Sequence, residues 1–142
     1  MTMLLDTFLD KWHRCVNSRY RVMLVTPARQ DRFPEEFIKE VTEVIGAEQV
    51  DFATRYQGEL ESFFTRWKIQ EEIREGCSTQ PLLVTSLEPF YSKWPEEERY
   101  AFLRYMLRME TPHGVVLLLY CREDLAEIKE ISENNRGTIW TP

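Results

Sequence analysis

Apolar positions along the chain switch repeatedly between helical and strand spacing. Over residues 3–17, Leu4, Leu5, Phe8, Leu9, Trp12, Cys15 and Val16 recur at helical intervals, and Asn17 and Ser18 interrupt them. This predicts an amphipathic helix with one broad apolar stripe. Tyr20 to Thr26 is β-rich and stops at Pro27. Its middle, Val22 to Val25, is apolar throughout, as in a strand covered on both faces. Pro34, Glu35 and Glu36 predict a helix start with acids at its positive end, Phe37, Val41, Val44 and Ile45 its stripe, and Gly46 its stop. Gln49 to Ala53 reads as a short strand near a sheet edge. A helix is predicted from about Leu60 to Glu75, faced by Leu60, Phe63, Phe64 and Trp67 and ended by Gly76. The run from Gln80 to Pro89 predicts a buried strand, and Trp94-Pro95 followed by three glutamates opens a helix reaching Met109. After a turn at Thr111–Gly114 comes the most apolar strand, Val115–Cys121. A short helix, Asp124–Ser132, and a final strand, Thr138–Trp140, complete the pattern.

Five strands alternating with helices imply crossover connections and a mainly parallel sheet. The predicted fold is a single α/β domain over residues 1–142, a three-layer sandwich with an extra N-terminal helix. At 142 residues the chain is long enough for one core without covalent staples. A 43% hydrophobic composition argues against disorder, and a net charge of −6 disfavours general nucleic-acid binding, which needs clustered Lys and Arg. Three widely spaced cysteines, with no CxxC pair, read as free thiols in a reducing compartment. With only two histidines, no metal site is predicted. No secretory leader and no membrane span is read from the sequence, so the expected location is cytoplasmic.

The same order of elements describes the core of P-loop ATPases, in which a Gly-rich loop after the first strand wraps the phosphates. Here that segment, Thr26 to Pro34, has no glycine and two prolines. Proline removes N–H donors, and other residues resist the left-handed conformations such a loop needs. Arg29 and Arg32 remain as candidate phosphate contacts. In the third strand Thr85 and Ser86 stand where a magnesium-binding acid is wanted, leaving Glu88 as a candidate base or nucleotide contact.

The sequence Leu82-Leu-Val-Thr-Ser-Leu-Glu-Pro-Phe-Tyr91, a helix, then Gly114-Val-Val-Leu-Leu-Leu-Tyr120, resembles degenerate P-loop-like folds. In particular it is similar to the small accessory proteins of BREX-type phage-defence systems, of the BrxB and BrxF sort. The resemblance covers about residues 80–121. It implies the strand order 5-1-4-3-2 and a scaffolding role. Members with an intact Gly-rich loop differ from this chain at that loop, which puts ATP binding in doubt.

No catalytic constellation is predicted. His13 and His113 have no evident partners, and Cys121 at a strand end reads as a buried thiol. Lys11, Arg14, Arg19 and Arg21, with His13, Trp12 and Tyr20 interleaved, form the one basic concentration and the candidate nucleic-acid contact. Phe90, Tyr91 and Trp94 place three aromatics within five residues of a predicted strand-to-helix loop. They are the candidate partner-binding surface, because interfaces favour such anchors. The helix after them has apolar residues on more than one face, which suggests a second contact. The preferred reading is a non-catalytic binding or scaffolding subunit with protein partners or further copies of itself, needing no cofactor, in a prokaryotic phage-defence complex. The alternatives are a nucleotide-binding protein or weak NTPase using Arg29, Arg32 and Glu88, and a nucleic-acid-binding accessory using the basic cluster.

Overall fold

The computed structural model describes residues 2–28, 32–59, 64–135 and 137–142. Among the described residues, seven α-helices and five strands follow in the order α1 (Thr2–Val16), β1 (Val22–Val25), α2 (Glu35–Ile45), β2 (Glu48–Asp51), α3 (Phe52–Arg55), α4 (Arg66–Gly76), β3 (Leu82–Thr85), α5 (Glu88–Tyr91), α6 (Glu96–Leu107), β4 (Val115–Leu118), α7 (Leu125–Asn135) and β5 (Thr138–Trp140). All strand pairs are parallel and the order is β2-β3-β4-β1-β5, the 5-1-4-3-2 order read from the other edge.

Strand periodicity divides the core. Val22 and Leu24 of β1, Leu82 and Val84 of β3, and Val115 and Leu117 of β4 face one layer; the intervening Met23, Val25, Leu83, Val116 and Leu118 face the other. The first layer holds α4, α6 and α7 through Ile69, Ile73, Phe102, Leu103, Met106 and Ile128. The second holds α1 and α2 through Phe8, Trp12, Phe37 and Val41. β1, β3 and β4 are therefore buried at every position, which is why they read as uninterrupted apolar runs. β2 exposes two of its four residues and lies at an edge.

Two glycines are required by geometry. Gly46 ends α2 in the left-handed conformation, φ 67°. Gly114, φ 92°, lets the chain turn into β4 beneath Trp12; a Cβ there would come within 2.7 Å of the indole.

Three expectations change. The helix predicted from Leu60 to Glu75 begins at Arg66; Leu60 and Phe63 lie outside the described residues, and Trp67 is 62% exposed instead of packing. Phe90 and Tyr91 lie not in a loop but in a one-turn helix, α5. The extra apolar faces of α6 are covered within the chain, since α6 packs against α4, α7 and the sheet. Among the described residues no helix is long and apolar enough to cross a membrane.

Candidate functional site

The path through the sheet reverses once. From β1 the chain crosses to the far edge by way of α2, and from β2 onward it steps back through α4, α6 and α7 on the opposite face. The segments leaving β1 and β4, adjacent strands, thus diverge to opposite faces. In open α/β sheets such a switch point at the strands' C-terminal ends opens a crevice. A cavity of about 520 Å³ lies on this edge, lined by residues that include Arg32 before α2, Lys39 within it, Asp51, Thr85 and Ser86 at the ends of β2 and β3, and Tyr120 after β4.

Tyr120 organises this edge. Its backbone N–H donates to the Glu88 carboxylate at 2.9 Å, its hydroxyl accepts from the Phe33 N–H at 3.0 Å, and the Arg32 guanidinium sits 4.6 Å from its ring centre. Burial raises the phenol, against the lowering effect of the Phe33 hydrogen bond and Arg32. Arg32 and Glu88 are thus brought to one residue, and Glu88 serves there as a backbone acceptor. Arg29 lies outside the described residues. Thr85, 8% exposed, has a hydroxyl with no hydrogen-bond partner. Ser86 takes φ 60°, a left-handed conformation unusual for serine, and Leu87 next to it is buried.

Phe90, Tyr91 and Trp94 do not form a surface. They are 1%, 3% and 2% exposed and belong to the core under α6. Phe90 meets Phe64 and Tyr56, while Trp94 meets Phe102 and Tyr91. The density of rings reflects a local core: α5 caps the sheet edge, so both it and the following turn point inward. The Trp94 indole N–H donates to the Phe64 carbonyl at 2.6 Å.

The Tyr91 hydroxyl instead opens a buried polar network that the sequence pattern did not signal. It donates to Asp124 at 2.7 Å, and Arg99 donates to the same carboxylate through Nε at 3.0 Å and Nη2 at 3.3 Å. Asp124 is 3% exposed. Burial, with the neighbouring Cys121 and Asp124, drives the Tyr91 phenol upward. Nearby, the Cys121 sulfur lies 3.4 Å from the Thr26 hydroxyl, which itself donates to the Leu119 carbonyl. Burial pushes this thiol up to about 12.

The basic N-terminal cluster is dispersed. Lys11 and Arg14 lie on α1, but Trp12 is core and offers no stacking face. Arg21 donates to the Ser18 and Pro112 carbonyls, and Arg19 pairs with Glu110. Among the described residues no group of three or more His, Cys, Asp or Glu is placed to hold a metal ion. No family model, no curated protein and no solved structure matches the chain.

Proposed function

We propose that the protein is a non-catalytic binding subunit of a larger protein assembly. The observation that carries this reading is the condition of the three groups best placed for chemistry at the C-terminal edge. The Glu88 carboxylate is committed to the Tyr120 N–H, Asp124 is held between Tyr91 and Arg99, and Cys121 is buried with its thiol raised. A general base must be free to reach its substrate, and a nucleophilic cysteine must ionise. These groups instead brace the segments that leave β3 and β4. The resemblance of residues 80–121 to phage-defence accessory proteins makes such an assembly the first in which to seek the partner.

The test is reconstitution. The full chain and proteins encoded beside it are purified and mixed, and complex formation is followed by size-exclusion chromatography with light scattering. The expected result is a complex of fixed stoichiometry with one of them. A chain that stays monomeric against every such partner, or that turns over ATP, overturns the proposal.

One observation favours a second reading, nucleotide binding. Arg32 lies over Tyr120 beside a cavity that Thr85, whose buried hydroxyl has no partner, helps to line. Calorimetric titration with ATP and magnesium decides it: saturable heat lost on Arg32→Glu supports this reading, and no heat removes it.

A further inference from the structure

The opposite edge of the sheet gathers four arginines around one cleft. Helices that return between parallel strands run against the strand direction, so α4 and α6 finish at the N-terminal edge, beside the segment that leads into β1. Arg74 is in the last turn of α4, Arg104 in the last turn of α6, and Arg108 at the α6 C-cap. Together with Arg19 they line an open cleft of about 760 Å³, flanked by Tyr20 and Tyr105. Among the described residues Glu110 is the one carboxylate lining it.

Two readings compete. Arginines near helix C-termini complement the helix dipole, and that alone accounts for Arg74 and Arg104 individually. It does not account for four of them meeting, in a chain of net charge −6. Two helix ends contribute about −0.5 charge each. Among the described residues the lining itself carries four guanidiniums and one carboxylate, so the inner surface of the cleft is positive, while Glu71 and Glu75 act on Arg74 from outside it. Arg19 shows what such a fork does: its Nε and Nη2 both reach Glu110 Oε1 at 2.9 Å. That pair is exposed and therefore easily exchanged for another anion. Arg74 pairs with Glu71 only loosely, at 4.0 Å, and is also held by Tyr105, which flanks the cleft. Among the described residues neither Arg104 nor Arg108 forms an ion pair.

We infer that this cleft binds a compact ligand carrying several phosphate groups. Guanidinium forks match phosphate oxygens in pairs, and donors arriving from three separate elements suit several anionic groups on one molecule. The volume falls in the range of small-ligand sites. A long polyanion would leave the cleft and run onto the acidic surface, which repels it. The inference rests on the binding-subunit reading and supplies that subunit with an effector site remote from the C-terminal edge.

The test is calorimetric titration of the full chain with inorganic tripolyphosphate and with orthophosphate at about 0.15 M salt. Tripolyphosphate is expected to bind saturably, at least about tenfold more tightly than orthophosphate. Binding is expected to vanish in R104E/R108E and to weaken in R108E alone, with both variants still folded by circular dichroism and their melting lowered only by the lost helix-dipole contacts. Absence of tripolyphosphate binding, undiminished binding in both variants, or tighter binding of an oligothymidylate of about ten nucleotides would overturn the inference. Release of orthophosphate from bound tripolyphosphate would overturn the non-catalytic reading while leaving the site in place. A partner complex formed by a chain that binds no tripolyphosphate would do the reverse.

Discussion

Removing the Asp124 carboxylate tests the buried network most directly. Asp124→Ala takes away the acceptor of the Tyr91 hydroxyl and of two Arg99 N–H groups. The orphaned hydroxyl, 3% exposed as a residue, loses its partner at a cost of about 1–3 kcal/mol. Breaking a fully buried ion pair costs about 3–5 kcal/mol. The Arg99 side chain, however, is 21% exposed and keeps its bond to the Trp94 carbonyl at 3.0 Å, so its share is smaller. The combined expectation is about 3 kcal/mol. At about 2.1 cal/mol/K per residue, the 142-residue chain has an unfolding entropy of about 0.3 kcal/mol/K. The loss therefore lowers Tm by about 10 °C. Tyr91→Phe, which leaves Asp124 paired with Arg99, is expected to cost about 1 kcal/mol. Asp124→Asn, which keeps an acceptor but no charge, falls between. Scanning calorimetry and urea titration of the three variants give the order. If Asp124→Ala costs under about 1 kcal/mol, or no more than Tyr91→Phe, the network does not hold α5, α6 and the start of α7 together as described.

Other outcomes follow from single positions. Gly46→Ala meets open space and only the left-handed backbone opposes it, so about 1 kcal/mol is expected; Gly114→Ala adds a 2.7 Å contact with Trp12 and is expected to cost at least twice as much, by urea titration. Trp94→Phe lowers stability, by about 1–3 kcal/mol, because it loses the bond to Phe64 and leaves a void; its folded fraction retains partner affinity, measurable by light scattering, since the ring is not on the surface. Burial raises the Cys15 and Cys121 thiols from 9.0 to about 11 and about 12. Because the folded state resists their ionisation, stability is full below pH 9 and declines as pH rises toward 11–12, by about 1.4 kcal/mol per pH unit for each thiol. Cys121→Ala should show a shallower alkaline decline in pH-dependent urea titrations, and an unchanged slope would remove burial of that thiol as the cause.

Part of the candidate site could be read from the chain and part could not. Arg32 and Glu88 were legible because strand ends and the segment after β1 can be located from local pattern, and both do reach Tyr120. Their roles were not legible, since the Glu88–Tyr120 hydrogen bond joins residues 32 apart in sequence. The aromatic density at 90–94 was visible, but its direction was not: an exposed anchor and a core ring have the same composition. The four arginines of the cleft were harder still. Arg19, Arg74, Arg104 and Arg108 share no motif and lie up to 89 positions apart, whereas the cluster at Lys11–Arg21 is local in the chain. A usable signal existed in the positions of Arg74 and Arg108 at predicted helix ends, which parallel crossovers bring to one edge.

The sequence by itself determined the alternating elements and the parallel sheet. Strands buried on both faces must be written as apolar runs, and helices covering them must carry a stripe of period 3.6, so these features are local and periodic. Tertiary structure decided which way the rings of α5 face, what covers the far sides of α6, and which distant charges meet. Those are set by the packing of one layer on another, where the free energy depends on neighbours supplied from elsewhere in the chain and not on the order of residues along it.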